Sequence, residues 1–235
     1  MEAPERIVFL DTETTGLDAR LGHRIIEVAC VEAVGRELSG RHLHYYLDPE
    51  RDVDAGATAV HGYTWDDLRG KAKFATIAAE LLEFLAGATV VIHNAPFDIS
   101  FLNHELARLR MPPLASVDMV IVDSLVLAKA KYPGKRNSLD ALCDRLGVDN
   151  SQRNLHGALL DARLLSDVYF ALTRGQGTLD MELPTKPSAM VIDNATGGAI
   201  AAVICPVQLD ADLINAHNDY MSRLAKQSGV ERSWG

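Results

Sequence analysis

The stretch IVFLDTETTG, residues 7–16, constrains this chain more than any other. Ile7, Val8, Phe9 and Leu10 have the length and β-branched character of a strand buried on both faces, and they run directly into Asp11, Thr12 and Glu13. Side chains alternate along a strand, so Asp11 and Glu13 share a face. Two carboxylates at the end of a buried strand repel each other and lose hydration, a cost that a divalent cation between them removes. Taken alone, an acid-x-acid pair reads more readily as a solvated turn, so further partners have to decide.

The bulk composition limits where those partners can lie. With 235 residues, 48% hydrophobic and 23% charged, the chain holds one sizeable domain plus an appendage. The N-terminal MEAPERIVFL places two acids ahead of a short apolar run and fits neither a signal nor a transit peptide. No apolar stretch approaches a membrane span, so a cytoplasmic protein with no membrane partner is expected. Cys30, Cys143 and Cys205 lie far apart without metal-ligand spacing, which fits reduced thiols and argues against zinc. The net charge of −9 argues against nucleic-acid binding through a broad basic surface. Any such contact is local. The basic cluster Lys129, Lys131, Lys135 and Arg136 is expected in a loop before a helix, reading equally as a solvated loop and as a phosphate contact.

Periodicity predicts further strands over 24–34 and 43–47, broken by Gly35, Ser39 and Gly40, and an irregular segment over 52–62 ending in AVHG. A helix over 76–85 precedes a short buried strand over 89–92, which leads into HNAPFD at 93–98. Pro96 suits the first turn of a helix whose apolar face carries Phe97, Phe101, Leu102, Leu106 and Leu109. Asp98 therefore falls at a strand-to-helix junction, where α/β sheets place functional groups. A strand over 117–122, short helices over 124–130 and 138–146, and a strong helix after Gly157 follow, with His156 on the preceding loop and Asp161 inside the helix.

Asp11, Glu13, Asp98 and Asp161 with His156 make four carboxylates and one imidazole. Four converging acids can hold two Mg²⁺ or Mn²⁺ ions roughly 3.5–4 Å apart, an arrangement that clamps the attacking and leaving oxygens of a phosphodiester. A histidine, which exchanges its proton near neutral pH, supplies the general base that the metals do not.

Here the sequence resembles the DEDD exonucleases of the histidine subtype, whose three motifs stand as DTETTG (11–16), HNAPFD (93–98) and HGALLD (156–161). The likeness extends through VHG at 60–62 and PGKRNSLDALC at 133–143, and among these nucleases it is nearest to the proofreading enzymes of bacterial replicative polymerases. The resemblance implies an α/β, RNase H-like fold with a mixed five-stranded sheet flanked by helices. It also implies roles. Asp11 would bridge both metals, Glu13 and Asp161 would complete the site of the first and Asp98 would serve the second, while His156 would act as general base. His61 and Phe97 would flank the terminal sugar and base at the DNA 3′ end, although for Phe97 a core role is the readier reading.

Gly and Pro punctuation from Arg174 onward marks residues 175–198 as a flexible linker between an exonuclease domain over 1–174 and a small C-terminal partner-binding segment over 199–235. By resemblance, Gln176, Leu179 and Met181 form a sliding-clamp motif with Met in place of an aromatic, and the tail with Trp234 binds the polymerase α subunit. Two other readings stay open: a stand-alone exoribonuclease with the same metals, and a non-catalytic adaptor joining polymerase and clamp.

Overall fold

The computed structural model describes residues 5–153 and 155–174. The segments expected as a linker (175–198) and a partner-binding tail (199–235), and with them Gln176, Leu179, Met181, Cys205 and Trp234, lie outside the described residues.

Strand β1 (Arg6–Thr14) is the middle of a five-stranded sheet. On one side it pairs antiparallel with β2 (Ile25–Val34), which pairs antiparallel with β3 (Glu37–Tyr46). On the other it pairs parallel with β4 (Thr89–Ile92), and β4 with β5 (Val120–Asp123). The expected mixed sheet is thus present, in the order β3-β2-β1-β4-β5.

Both faces are covered, which explains why β1 begins as an unbroken apolar run. Val8 and Leu10 join Val28, Cys30, Val90 and Ile92 under α3 (Phe74–Leu85) and α4 (Ala95–Arg108). Ile7 and Phe9 point the other way, with Val31, Ala33 and Val91, onto α6 (Leu139–Leu146) and α7 (Ala158–Leu172). Phe9 meets Tyr169 and Phe170 of α7 edge-on, with ring centroids 5.7 and 5.4 Å away. Cys30 and Cys143 are buried free thiols.

Four local expectations need correction. Residues expected to be irregular form α1 (Ala55–His61), followed by a single turn, α2 (Trp65–Leu68). The apolar spacing of AGATAV is too sparse to announce a helix, and Gly62, left-handed at φ 85°, ends it by donating its N–H to Thr58 O. Strand β3 starts six residues earlier than expected, running through Ser39 and Gly40 because a register shift opposite Val31 and Ala33 absorbs the extra residues. Strand β5 begins at Val120 rather than Val117, since Leu114–Ser116 winds as a 3₁₀ turn. Lys129 and Lys131 sit in the last turn of α5 (Ser124–Lys131), not in a loop, where their charge complements the helix C-terminus.

Candidate active site

The pairing of β1 stops at different points on its two edges. Toward β4 it ends at Leu10↔Ile92, while toward β2 it continues to Thr14↔Ile25. Asp11 to Thr14 therefore line a notch left by the shortness of β4, and the other acids are brought to that notch.

Asp98 arrives from α4 by a two-residue turn. Asn94 caps the helix in the left-handed region at φ 70°, and its N–H donates to Asp123 Oδ1 over 3.2 Å, fastening the turn to the end of β5. His93 Nδ1 lies 2.9 Å from Ser124 Oγ. The outer residues of HNAPFD thus hold the turn, and Asp98 is delivered buried, 3% exposed. Thr12, on the face of β1 opposite Asp11 and Glu13, donates its hydroxyl to Asp98 Oδ1 over 2.7 Å.

Asp161 arrives from the first turn of α7, and His156 from the loop before it. That loop rests on α1: His156 N–H donates to Val60 O over 3.1 Å, and Leu155 lies against Gly62, where a Cβ would come within 2.7 Å of Leu155 Cδ1. Glu13, His156 and Asp161 each offer an atom within 4.8 Å of the others, close enough to share one cation. Asp11, Glu13, Asp98, His156 and Asp161 all line one cavity of about 430 Å³, together with Asp140 and Arg153.

The electrostatics fit a cation. Burial first, then Asp98, Asp161 and Glu13, push the Asp11 carboxyl well above its ordinary range. Burial and the nearby charges of Asp161 and Glu27 push Glu13 up to about 8. Glu27 is the cross-strand partner of Glu13, 1% exposed, and its Oε2 has no hydrogen-bond partner. Burial raises Asp98 to about 7 although the Thr12 hydroxyl pulls the other way. Such acids bind protons at neutral pH unless a stronger cation displaces them, and a hard, all-oxygen donor set of this kind suits Mg²⁺ or Mn²⁺.

Asp161 differs from the other three. Burial alone would raise it, but the Arg153 guanidinium outweighs burial and holds it below the usual carboxylate range. Arg153 Nε and Nη2 donate to its two oxygens over 2.6 and 2.7 Å, and the guanidinium is 6% exposed. Nothing in the SQRN stretch marks Arg153 as more than a loop charge, so sequence reading passed over it. Thr12 was also missed, though alternation along β1 gave a signal: a threonine between two acids faces whatever the acids do not.

A second cavity, of about 450 Å³, adjoins the first and shares Thr12, Glu13, Leu17 and Phe97 with it. Its walls include Val60, Ala57 and His61. His61 Nδ1 accepts from Tyr63 N–H over 3.1 Å and Nε2 faces Thr14 O at 3.3 Å, so both ring nitrogens are engaged by backbone. Burial lowers its pKa, and the neutral ring offers the cavity an apolar surface. Phe97 is half-buried, tilted against Phe101 with centroids 5.0 Å apart.

Over residues 8–169 the chain matches the exonuclease family RNase_T. A DNA polymerase III subunit epsilon from Pasteurella multocida (strain Pm70) is 42% identical over 237 residues, covering 98% of this chain and 94% of that protein. The chain belongs to the family of DNA polymerase III epsilon subunits. The epsilon subunit of Escherichia coli K12 is 48% identical over 179 residues, or 74% of each chain. The chain also superposes on a zinc-bound E. coli ExoI–ssDNA complex with a TM-score of 0.66 at 20% identity, over 74% of this chain and 42% of that one, which is a likeness of fold. Gly16, the last residue of DTETTG, is there for space: a Cβ would lie 2.3 Å from the His23 ring, which is hydrogen-bonded to Thr15.

Proposed function

We propose that this chain is the proofreading 3′→5′ exonuclease subunit of a bacterial replicative DNA polymerase, removing mismatched 3′-terminal nucleotides as 5′-monophosphates. One observation carries this reading: a cavity walled by four acids and a histidine opens directly onto an apolar slot of nucleotide size, with Glu13 and Phe97 common to both. Asp11, Glu13, Asp98 and Asp161 would hold two divalent ions, Mg²⁺ or Mn²⁺, which when bound polarise the scissile phosphodiester and the attacking water.

The chain's own residues do the rest. Leu17, Val60, Phe97 and the neutral His61 ring receive a single unpaired terminal base and sugar, setting the last phosphodiester against the acids. His156 takes the proton of the attacking water. A slot for one splayed nucleotide favours mismatched ends, because a mismatch frays at lower cost than a pair.

The chain works in the cytoplasm beside its polymerase. Among the described residues no helix is long and apolar enough to cross a membrane. The tail at 199–235, with Trp234, engages the polymerase α subunit, and Gln176, Leu179 and Met181 engage the sliding clamp.

The decisive experiment compares release of the terminal nucleotide from a 3′-mismatched DNA primer, a matched primer and an RNA end, in Mg²⁺. An Asp11→Ala, Glu13→Ala double variant is run alongside. Proofreading requires fastest release from the mismatch and a dead variant. Preference for RNA replaces it with an RNA-trimming enzyme, and no cleavage even with Mn²⁺ and added polymerase moves the adaptor reading to first place.

A further inference from the structure

Arg153 does more than neutralise a neighbouring acid. Its guanidinium takes both oxygens of Asp161, and Nη2 lies 2.9 Å from His156 Nδ1. A guanidinium only donates, so Nδ1 must accept and the ring proton must sit on Nε2. The longer approach of Nδ1 to Asp161 Oδ2, 3.4 Å, is then a contact of two acceptors bridged by the same Nη2. Arg153 therefore occupies two of the three groups, Asp161 and His156, that with Glu13 converge to share a cation. The third arm of the guanidinium reaches Asp140 at the start of α6, which is 53% exposed and stands at the rim of the cavity.

We propose that Arg153 is an internal competitor of the divalent ion: guanidinium and metal exchange for the same carboxylate of Asp161, and the exchange also frees His156. Asp140 keeps the displaced guanidinium at the rim. The pairing gives the acid cluster a resident positive charge and holds the histidine out of service until metal arrives. Arg153 is in this sense a positioning residue. The inference rests on the metal-site reading above.

The test measures Mn²⁺ binding to the full chain by calorimetry and by electron paramagnetic resonance, for wild type, Arg153→Ala and Arg153→Lys. A charge-assisted bidentate pair opposing the metal corresponds to binding of Mn²⁺ about tenfold or more tighter once the guanidinium is removed. Arg153→Lys keeps the charge but not the two-pronged geometry, and is expected to bind nearly as tightly as Arg153→Ala. A purely structural arginine would give the opposite sign, since a disordered site binds metal more weakly. In wild type, ¹⁵N resonances of the His156 ring should report protonation at Nε2 without metal and a change on adding Mg²⁺. Unchanged or weaker binding in Arg153→Ala overturns the proposal. So does Arg153→Lys matching wild type, which would reduce the effect to charge alone. Should Arg153→Ala fail to fold, Arg153→Lys decides by itself. If wild type binds no Mn²⁺, the metal-site reading falls and takes this inference with it, whereas binding by wild type with no gain in the variants sinks this inference alone.

Discussion

Thr12 stands between two acids and points away from both, yet its hydroxyl is what holds the third acid, donating to Asp98 Oδ1. Thr12→Val keeps the shape and removes the donor. Asp98, already raised to about 7, then rises further, because the hydroxyl was lowering it. A charge-assisted hydrogen bond to a buried carboxylate is lost, so nucleotide release at pH 7 should fall on the order of tenfold, with the pH profile displaced to higher pH and the thermal midpoint in Mg²⁺ little changed. The acids themselves make a second prediction. Glu13 and Asp98 have folded-state pKa values raised to about 8 and about 7. The folded protein therefore holds more protons than the unfolded chain between the ordinary carboxylate range and those values, and stability must fall as pH rises through that window. In EDTA the loss between pH 5 and pH 8.5 should be on the order of a few kcal/mol by denaturant titration. Added Mg²⁺ should restore most at the alkaline end, and a stability that rises across this window would contradict the assignment. At this scale Asp11 and Glu13 were legible as a same-face pair from strand alternation and Asp98 from its strand-to-helix junction, whereas Asp161 stood out only as a member of the set. Arg153 was not, because its partners Asp161 and Asp140 are brought to it only by the packing of α7 and α6.

The element that escaped sequence reading, α1, is the one on which the His156 loop rests. Val60 O accepts the His156 N–H, and Leu155 covers Gly62. The VHG stretch is thereby explained by backbone: Gly62 ends α1 with a positive φ of 85° and leaves the room that Leu155 uses. Gly62→Ala meets both constraints at once. It should lower stability by about 1–2 kcal/mol and shift the loop, so kcat falls more than stability alone explains. Equilibrium denaturation beside steady-state kinetics checks this, and loss of stability without loss of kcat would show that α1 does not position the loop. Strands and long helices were legible from their apolar periods. α1 was hidden because its seven residues bury little beyond His61, and the early half of β3 because a register shift, which leaves no mark in the apolar pattern, carries Ser39 and Gly40 through the sheet.

For the whole molecule, the net charge of −9 argues against a broad basic track for DNA, and the two cavities described above offer room for a terminal nucleotide. Tethering should then matter more than intrinsic affinity, because a tether replaces bulk encounter by an effective concentration. The full chain with polymerase and clamp should degrade a mismatched primer at least tenfold faster at limiting DNA than the full chain alone, and the advantage should shrink as DNA is raised to saturation. An equal gain at saturating DNA would place the effect on the chemical step instead. The order of the chain has one more outcome. The acids are supplied in sequence by β1, α4 and α7, and α7 is also the helix that seals the face of the sheet holding Phe9 and Val91. The domain thus gains its last acid with the segment that closes its core. A ribosome-bound chain still lacking α7, or one clipped ahead of it by a protease, would on the proposed reading lack Asp161 and leave the apolar face of the sheet covered by α6 alone. Half-made copies of the enzyme would then be unable to cut and, with that face part-covered, conspicuous to quality control for the same reason.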